Sequence, residues 1–197
     1  PFMKEVLKGI QEACAEVDNL GGTVLVHKIE HQNAEDVIRA MEKMRMEEVS
    51  GIAMVPLDEE SVKREIDRFV EEFRIPVVTF TSDVEDTKRL CFVGQNGVQC
   101  GRAAAGLMGE LTGGKGKVAV ISGYSTNTSL SSRVTGFREE MVRKYPGIEI
   151  IGPEYCFEEN GRAREITEGI FKEVPDLDGI YLTSHGEEGV CEAIAGE

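Results

Sequence analysis

Four groups of residues along this chain could do chemistry. His27 and His31 stand four apart, a spacing that on a helix presents two imidazoles to one metal ion. Here they end a β-branched run, and Lys28 stands where a zinc-protease motif requires Glu. No third ligand lies nearby in sequence, so no metal site is expected. Gly109-x-x-x-x-Gly114-Lys115 matches a phosphate-binding loop as far as Gly116, which replaces the Ser or Thr that would hold magnesium. It also leads from a helix into a strand, whereas a phosphate loop leads from a strand into a helix N-terminus. Thr112 to Gly116 is read as a helix end and turn. Gly123-Tyr124-Ser125 begins like a nucleophile elbow, but Asn127 takes the place of the closing glycine. No histidine has a context that pairs it with a nucleophile. The sequence predicts no catalytic residue, metal or cofactor.

The fourth group carries more. An apolar run, Val118 to Ile121, ends in Ser122-Gly123-Tyr124-Ser125-Thr126-Asn127-Thr128-Ser129 and then enters a helical pattern holding Arg133, Gly136 and Phe137. The C-terminal end of a parallel strand, followed by a hydroxyl-rich helix start, is where α/β sheets bind small polar ligands. Arg133 falls about one turn into that helix. Its guanidinium can donate two parallel hydrogen bonds to adjacent hydroxyls, a geometry that Lys does not supply. The alternative is an exposed helix arginine paired with a carboxylate.

Positioning such residues requires a scaffold, and the periodicity describes one. Short β-branched runs at 23–29, 51–56, 76–81, 89–94, 117–123, 148–155 and 179–184 alternate with segments of helical period. One helix carries Val37, Met41 and Met44, and another Val62, Ile66, Phe69 and Phe73; others cover 98–111, 130–145, 162–171 and 187–194. Phe2, Val6, Ile10, Ala13 and Val17 put a further helix at the first residue, where Pro1 is well suited to begin it. Near-continuous apolar strands such as Val118-Ala119-Val120-Ile121 are expected when helices cover both faces of a parallel sheet. The fold class is α/β, doubly wound.

One interruption divides the chain. Between the strands at 76–81 and 89–94 lies a polar stretch with no helix, which predicts an edge hairpin or a crossing into another sheet. Gly94-Gln95-Asn96-Gly97 then supplies turn chemistry before a new helix. The expected division is an N-terminal lobe at 1–94 and a C-terminal lobe at 95–197, with the ligand in the crevice between them.

The 197 residues carry a formal charge of −14, with Lys and Arg scattered among more numerous carboxylates, which argues against a nucleic-acid surface. No apolar run approaches the roughly 20 residues of a membrane span. Cys14, Cys91, Cys100, Cys156 and Cys191 form no Cys-x-x-Cys pair and are odd in number. They read as reduced thiols, favouring a reducing compartment.

The ordered phrases resemble the effector domain of LacI/GalR-type transcriptional regulators and the related type I periplasmic sugar-binding proteins. Pro1-Phe2-Met3-Lys4 resembles the start of their first helix, and Arg74-Ile75-Pro76-Val77-Val78-Thr79-Phe80 their fourth strand. Val93-Gly94-Gln95-Asn96 resembles the first crossover, with Gly101-Arg102-Ala103-Ala104 in the helix after it. Ser132-Arg133-Val134-Thr135-Gly136-Phe137 is similar to the family's R-x-x-G-F, and Asp178 to Ser184 to a later strand with a polar ligand contact. The resemblance implies a two-lobed, non-enzymatic domain, truncated at both ends, that binds a sugar-like ligand through Phe2, Thr81, Asp83, Tyr124, Asn127, Arg133, Thr183 and Ser184. Phe2 would stack on the sugar and Arg133 would bind its hydroxyls. Thr81 stands where the family often has Asp or Asn, and Thr183 and Ser184 where it commonly has Asn, so the polar rim is altered. The leading expectation is a cytoplasmic regulator domain, dimeric, reaching DNA only through a domain outside this sequence and touching no membrane. The alternative is an exported solute receptor of a sugar transporter or a sensor. An enzyme handling sugar phosphates is the rival from another class.

Overall fold

The computed structural model describes residues 2–29, 31 and 33–196, and of Phe2 the backbone alone. The chain forms two compact units, residues 1–31 and 32–197.

The first unit is built on α1 (Phe2–Asn19). Val6, Leu7, Ile10, Cys14 and Val17 are its half-buried residues, spaced as one helical face, whereas Ala13 is exposed. The helix stops where the N–H of Gly22 bonds to the carbonyl of Val17 and that of Gly21 to Asp18, with Gly21 at φ 78°. Only a residue without Cβ takes that left-handed position cheaply. Residues 23–29, expected to be a strand, belong to neither sheet, and Val24, Leu25, Val26 and Ile29 are exposed. Branched side chains favour extended backbone, but a strand exists only where a partner completes its hydrogen bonds. No described strand does so here.

The second unit contains two parallel sheets that share no strand. The first has the order β1 (Ile52–Met54), β2 (Val77–Phe80), β3 (Cys91–Val93), and carries α2 (Ala34–Met46) and α3 (Glu60–Glu71). Asn33 caps α2 by accepting from the N–H of Asp36 at 2.8 Å. Val37 and Met41 of α2 and Val62, Ile66 and Phe69 of α3 share one core with Ile52, Met54 and Val77. The two successive strands β2 and β3 make neither a hairpin nor a change of sheet. They are parallel neighbours, with Thr79 opposite Phe92. A parallel crossover usually needs a helix to cover the sheet. Here the connecting loop inserts Val84, fully buried, into the same core and fills that role.

Residues 94–96 lead to α4 (Gly97–Leu111), capped by Asn96 through the N–H of Gln99. The second sheet has β4 (Lys115–Ser122) at its centre, between β5 (Gly147–Tyr155) and β6 (Gly179–Leu182). Val118 and Val120 of β4 face α4 and α5 (Thr128–Lys144), packing with Ala105, Val134, Phe137 and Met141. Ala119 and Ile121 point the other way, to α6 (Asn160–Glu173) and α7 (Glu187–Gly196), meeting Ala163, Ile166, Ile170 and Val190. This is the two-faced burial that the unbroken apolar run required. Helices α4 and α5 approach with backbone against backbone. A Cβ on Gly101 would lie 2.0 Å from the carbonyl oxygen of Arg133, and one on Gly136 2.0 Å from that of Val98.

Candidate functional site

The C-terminal ends of β4, β5 and β6 form one polar mouth. Ser122 closes β4, and its Oγ accepts from the hydroxyl of Thr183, just past β6, at 2.8 Å; both residues are buried. The backbone continues the alignment, with the N–H of Thr183 on Ile121 O and that of Cys156 on Ser122 O. Arg133, in the second turn of α5, donates from Nη1 to the carbonyl of Thr183 at 3.0 Å and from Nη2 to Oε1 of Gln95 at 3.3 Å. The guanidinium therefore reaches back to the strand ends, as its spacing predicted, and also touches the connection between the two sheets.

Tyr124 follows β4 and meets Phe157, which follows β5, with ring centroids 5.6 Å apart and planes tilted by 59°. Burial, reinforced by Glu158 and Glu159, pushes the Tyr124 phenol up, so it stays a neutral hydrogen-bonding group. Gly123 sits where space is short: a Cβ there would lie 3.0 Å from Ser184 Oγ and 2.9 Å from Glu158 Cγ. Ser184 bonds to the carbonyl of His185, whose Nδ1 is 2.9 Å from Oε2 of Glu187.

Left-handed backbone occurs at two strand ends. Thr81 after β2 has φ 60°, and Phe157 and Glu158 after β5 have φ 54° and 62°. Non-glycine residues in this region are strained, and such strain concentrates where a fold serves a ligand or a switch.

The sequence-derived site residues divide among these surroundings. Arg133, Thr183 and Ser184 lie at the mouth of the second sheet, with Tyr124 above the end of β4. Asn127 is the cap of α5, its Oδ1 accepting from the N–H of Ser129 at 3.0 Å. Thr81 lies at the mouth of the first sheet, its N–H on Val93 O. Asp83 is held in place by neighbours that the sequence reading did not assign to it. Arg89 grips both its oxygens at 2.5 Å, and Thr79 donates to Oδ1 at 2.7 Å. Burial works to raise the Asp83 carboxyl, but hydrogen bonds from Arg89 and Thr79 outweigh it and hold the group below the usual carboxylate range. The side chain of Phe2 lies outside the described residues. Sequence reasoning missed Gln95, Phe157 and His185; the strand-end logic that selected Tyr124 applies equally to Phe157, one strand over.

Among the described residues no group of three or more His, Cys, Asp and Glu is arranged to hold a metal ion, and no helix is long and apolar enough to cross a membrane.

Parallel sheets flanked by helices, with polar groups at the strand ends, are a frame on which α/β proteins bind small molecules. The chain belongs to the periplasmic binding protein domain family, which matches it over residues 1–197. It is 21% identical to the ribose import binding protein RbsB of Bacillus subtilis over 98% of this chain, and spans 61% of that protein's length. Among solved structures it is similar to GanP, a glucose-galactose binding protein from Geobacillus stearothermophilus. That match has a TM-score of 0.85 and 26% identity over 95% of this chain and 67% of that one. It is also similar to an ABC transporter solute-binding protein from Burkholderia graminis in complex with D-arabinose. There the TM-score is 0.90 and the identity 26%, over 98% of this chain and 66% of that one. Two of these relatives carry an import or ABC transporter description, which fits the alternative kept from the sequence better than the LacI-type regulator placed first.

Proposed function

We propose that this chain is a sugar-binding domain of a solute receptor that serves an ABC transporter. The sugar would lie at the strand ends, between an N-terminal lobe at 1–94 and a C-terminal lobe at 95–197. The observation that carries this reading is Arg133, anchored on Thr183 O and Gln95 beside the buried Ser122–Thr183 hydroxyl pair. A planar cation with donors remaining at the strand ends of a sheet that also carries the Tyr124–Phe157 ring pair matches a ligand that offers both hydroxyls and an apolar ring face. Thr81, Asn127 and Ser184 would complete the rim, and the sugars bound by the relatives are consistent with it. The test is calorimetry of the full-length protein against D-arabinose, D-ribose, D-glucose and D-galactose. Binding of at least one sugar is expected; no binding to any of them, with turnover of a sugar phosphate instead, would favour the enzyme reading.

A second reading, an effector domain of a LacI-type regulator, rests on the cysteines. All five are free thiols, which suits a reducing compartment better than an exported protein. A reporter assay for sugar-dependent operator release by the full-length protein separates the two, because a transport receptor gives none.

A further inference from the structure

The two sheets of the second unit are tied together at their mouths by two short segments. The loop after β2 meets the start of α5, which follows β4. Thr128, the first residue of α5, is the centre of the tie. Its Oγ1 accepts from the N–H of Asp83 at 2.9 Å, donates to the carbonyl of Asp83, and lies 2.8 Å from Ser82 Oγ. A hydroxyl has one proton to give and two lone pairs to offer. With Asp83 O as acceptor and Asp83 N–H and Ser82 O–H as donors, Thr128 is fully used, and all three bonds cross from one sheet's lobe to the other's. Asp58 N–H on Thr126 O, at 3.0 Å, is a second, weaker-placed tie beside it.

The turn that Thr128 grips is itself rigidly held and strained. Arg89 and Thr79 fix the Asp83 side chain from below. Ser82 is buried, and its N–H closes a tight three-residue turn onto Phe80 O at 2.7 Å. Thr81, at the centre of that turn, is β-branched with φ 60°, a conformation that such residues avoid. A strained turn persists only while its surroundings over-determine it. Thr128 is the part of those surroundings that belongs to the other sheet.

We infer that Thr128 is a latch between the lobes. Its hydroxyl holds the 81–83 turn and thereby sets the arrangement of the two sheets, and the strain at Thr81 favours release once the hydroxyl is lost. Thr128→Val keeps the shape and removes the donor and acceptor; Thr128→Ser keeps both. Two exposed native cysteines report on the two lobes, Cys91 on β3 and Cys191 on α7. With Cys14 and Cys100 changed to Ser, and Cys156 protected by burial, spin labels at Cys91 and Cys191 measure the distance between lobes by pulsed electron resonance, without ligand. The parent is expected to give one narrow distance distribution. Thr128→Val is expected to add a second, displaced population of at least a third of the molecules, and Thr128→Ser to stay with the parent. A parental distribution in Thr128→Val overturns the latch, as does a displaced one in Thr128→Ser. If Thr128→Val does not fold, Ser82→Ala removes one arm of the tie, and a displaced minority population is expected there; its absence equally overturns the proposal. No sugar enters the measurement, so its failure leaves the binding reading standing.

Discussion

Arg133 donates to the backbone carbonyl of Thr183 across 3.0 Å, joining the second turn of α5 to the end of β6. A carbonyl at a strand end is a fixed acceptor, so the guanidinium plane is set before any ligand arrives. Together with Gln95, it ties the strand mouth to the crossover between the sheets.

Removing that cation should therefore act on binding more than on folding. Arg133→Ala is expected to weaken sugar binding about ten- to a hundredfold, since a charged hydrogen bond contributes about 1.5–3 kcal/mol. Arg133→Lys should recover only part of it, lacking the planar fork. Calorimetry on the full-length protein reads the affinity, and thermal unfolding of the same samples should shift by only a few degrees.

Asp83 should behave in the opposite way. Arg89 is largely buried, and Asp83→Asn would take away its charge partner and set an amide NH2 against one of its N–H groups. A loss of about 2–3 kcal/mol in stability is expected, measured by denaturant unfolding. The folded-state pKa of Asp83 lies below its unfolded value. The stabilisation is thus fully present above the unfolded pKa near ~3.9 and is lost as pH falls through the lower folded value. The parent should lose stability in acid faster than Asp83→Asn.

Asp83 marks where the sequence stops being legible. The family resemblance offered it, two residues from Thr81, as a ligand contact. Nothing in the order of residues showed that the helix-free loop turns Arg89 back onto it. Patterns that depend on one element alone were readable: the two-faced burial of β4 and the reach of Arg133 from α5. Patterns that depend on a partner were not. Residues 23–29 have strand composition but pair with no strand among the described residues, and in the helix-free connection between the parallel β2 and β3 Val84 fills the place of a helix.

Glu65 gives a pH dependence of the other sign. It is 7% exposed, and its Oε1 has no hydrogen-bond partner. Burial pushes its carboxyl up, Arg68 works against the shift, and Glu42 adds to it. The folded state therefore holds this proton more tightly than the unfolded chain does. Stability is lost as pH rises from the unfolded pKa near ~4.3 through the higher folded one. Glu65→Gln supplies a neutral donor toward Glu42 and should stabilise the protein by about 1 kcal/mol at pH 7. The gain should vanish near pH 4, where both forms are neutral. Urea unfolding at the two pH values checks both statements.

The last prediction separates the frame from the site. A Cβ on Gly101 of α4 would stand 2.0 Å from Arg133 O and 2.7 Å from the backbone nitrogen of Phe137. Backbone inside a helix cannot yield locally, so α5 must move as a body and carry Arg133 away from Thr183 O. Gly101→Ala should cost about 1–3 kcal/mol in stability. It should also weaken sugar binding roughly tenfold, since an ångström of misplacement is enough to break a 3.0 Å hydrogen bond. Gly106, on the same helix, faces open space within 4 Å. Gly106→Ala should leave affinity unchanged and raise stability by about 0.5–1 kcal/mol, because alanine loses less backbone freedom on entering a helix. Unfolding curves and calorimetry on the two variants test the pair. Equal affinities in both would mean that the α4–α5 contact does not position Arg133.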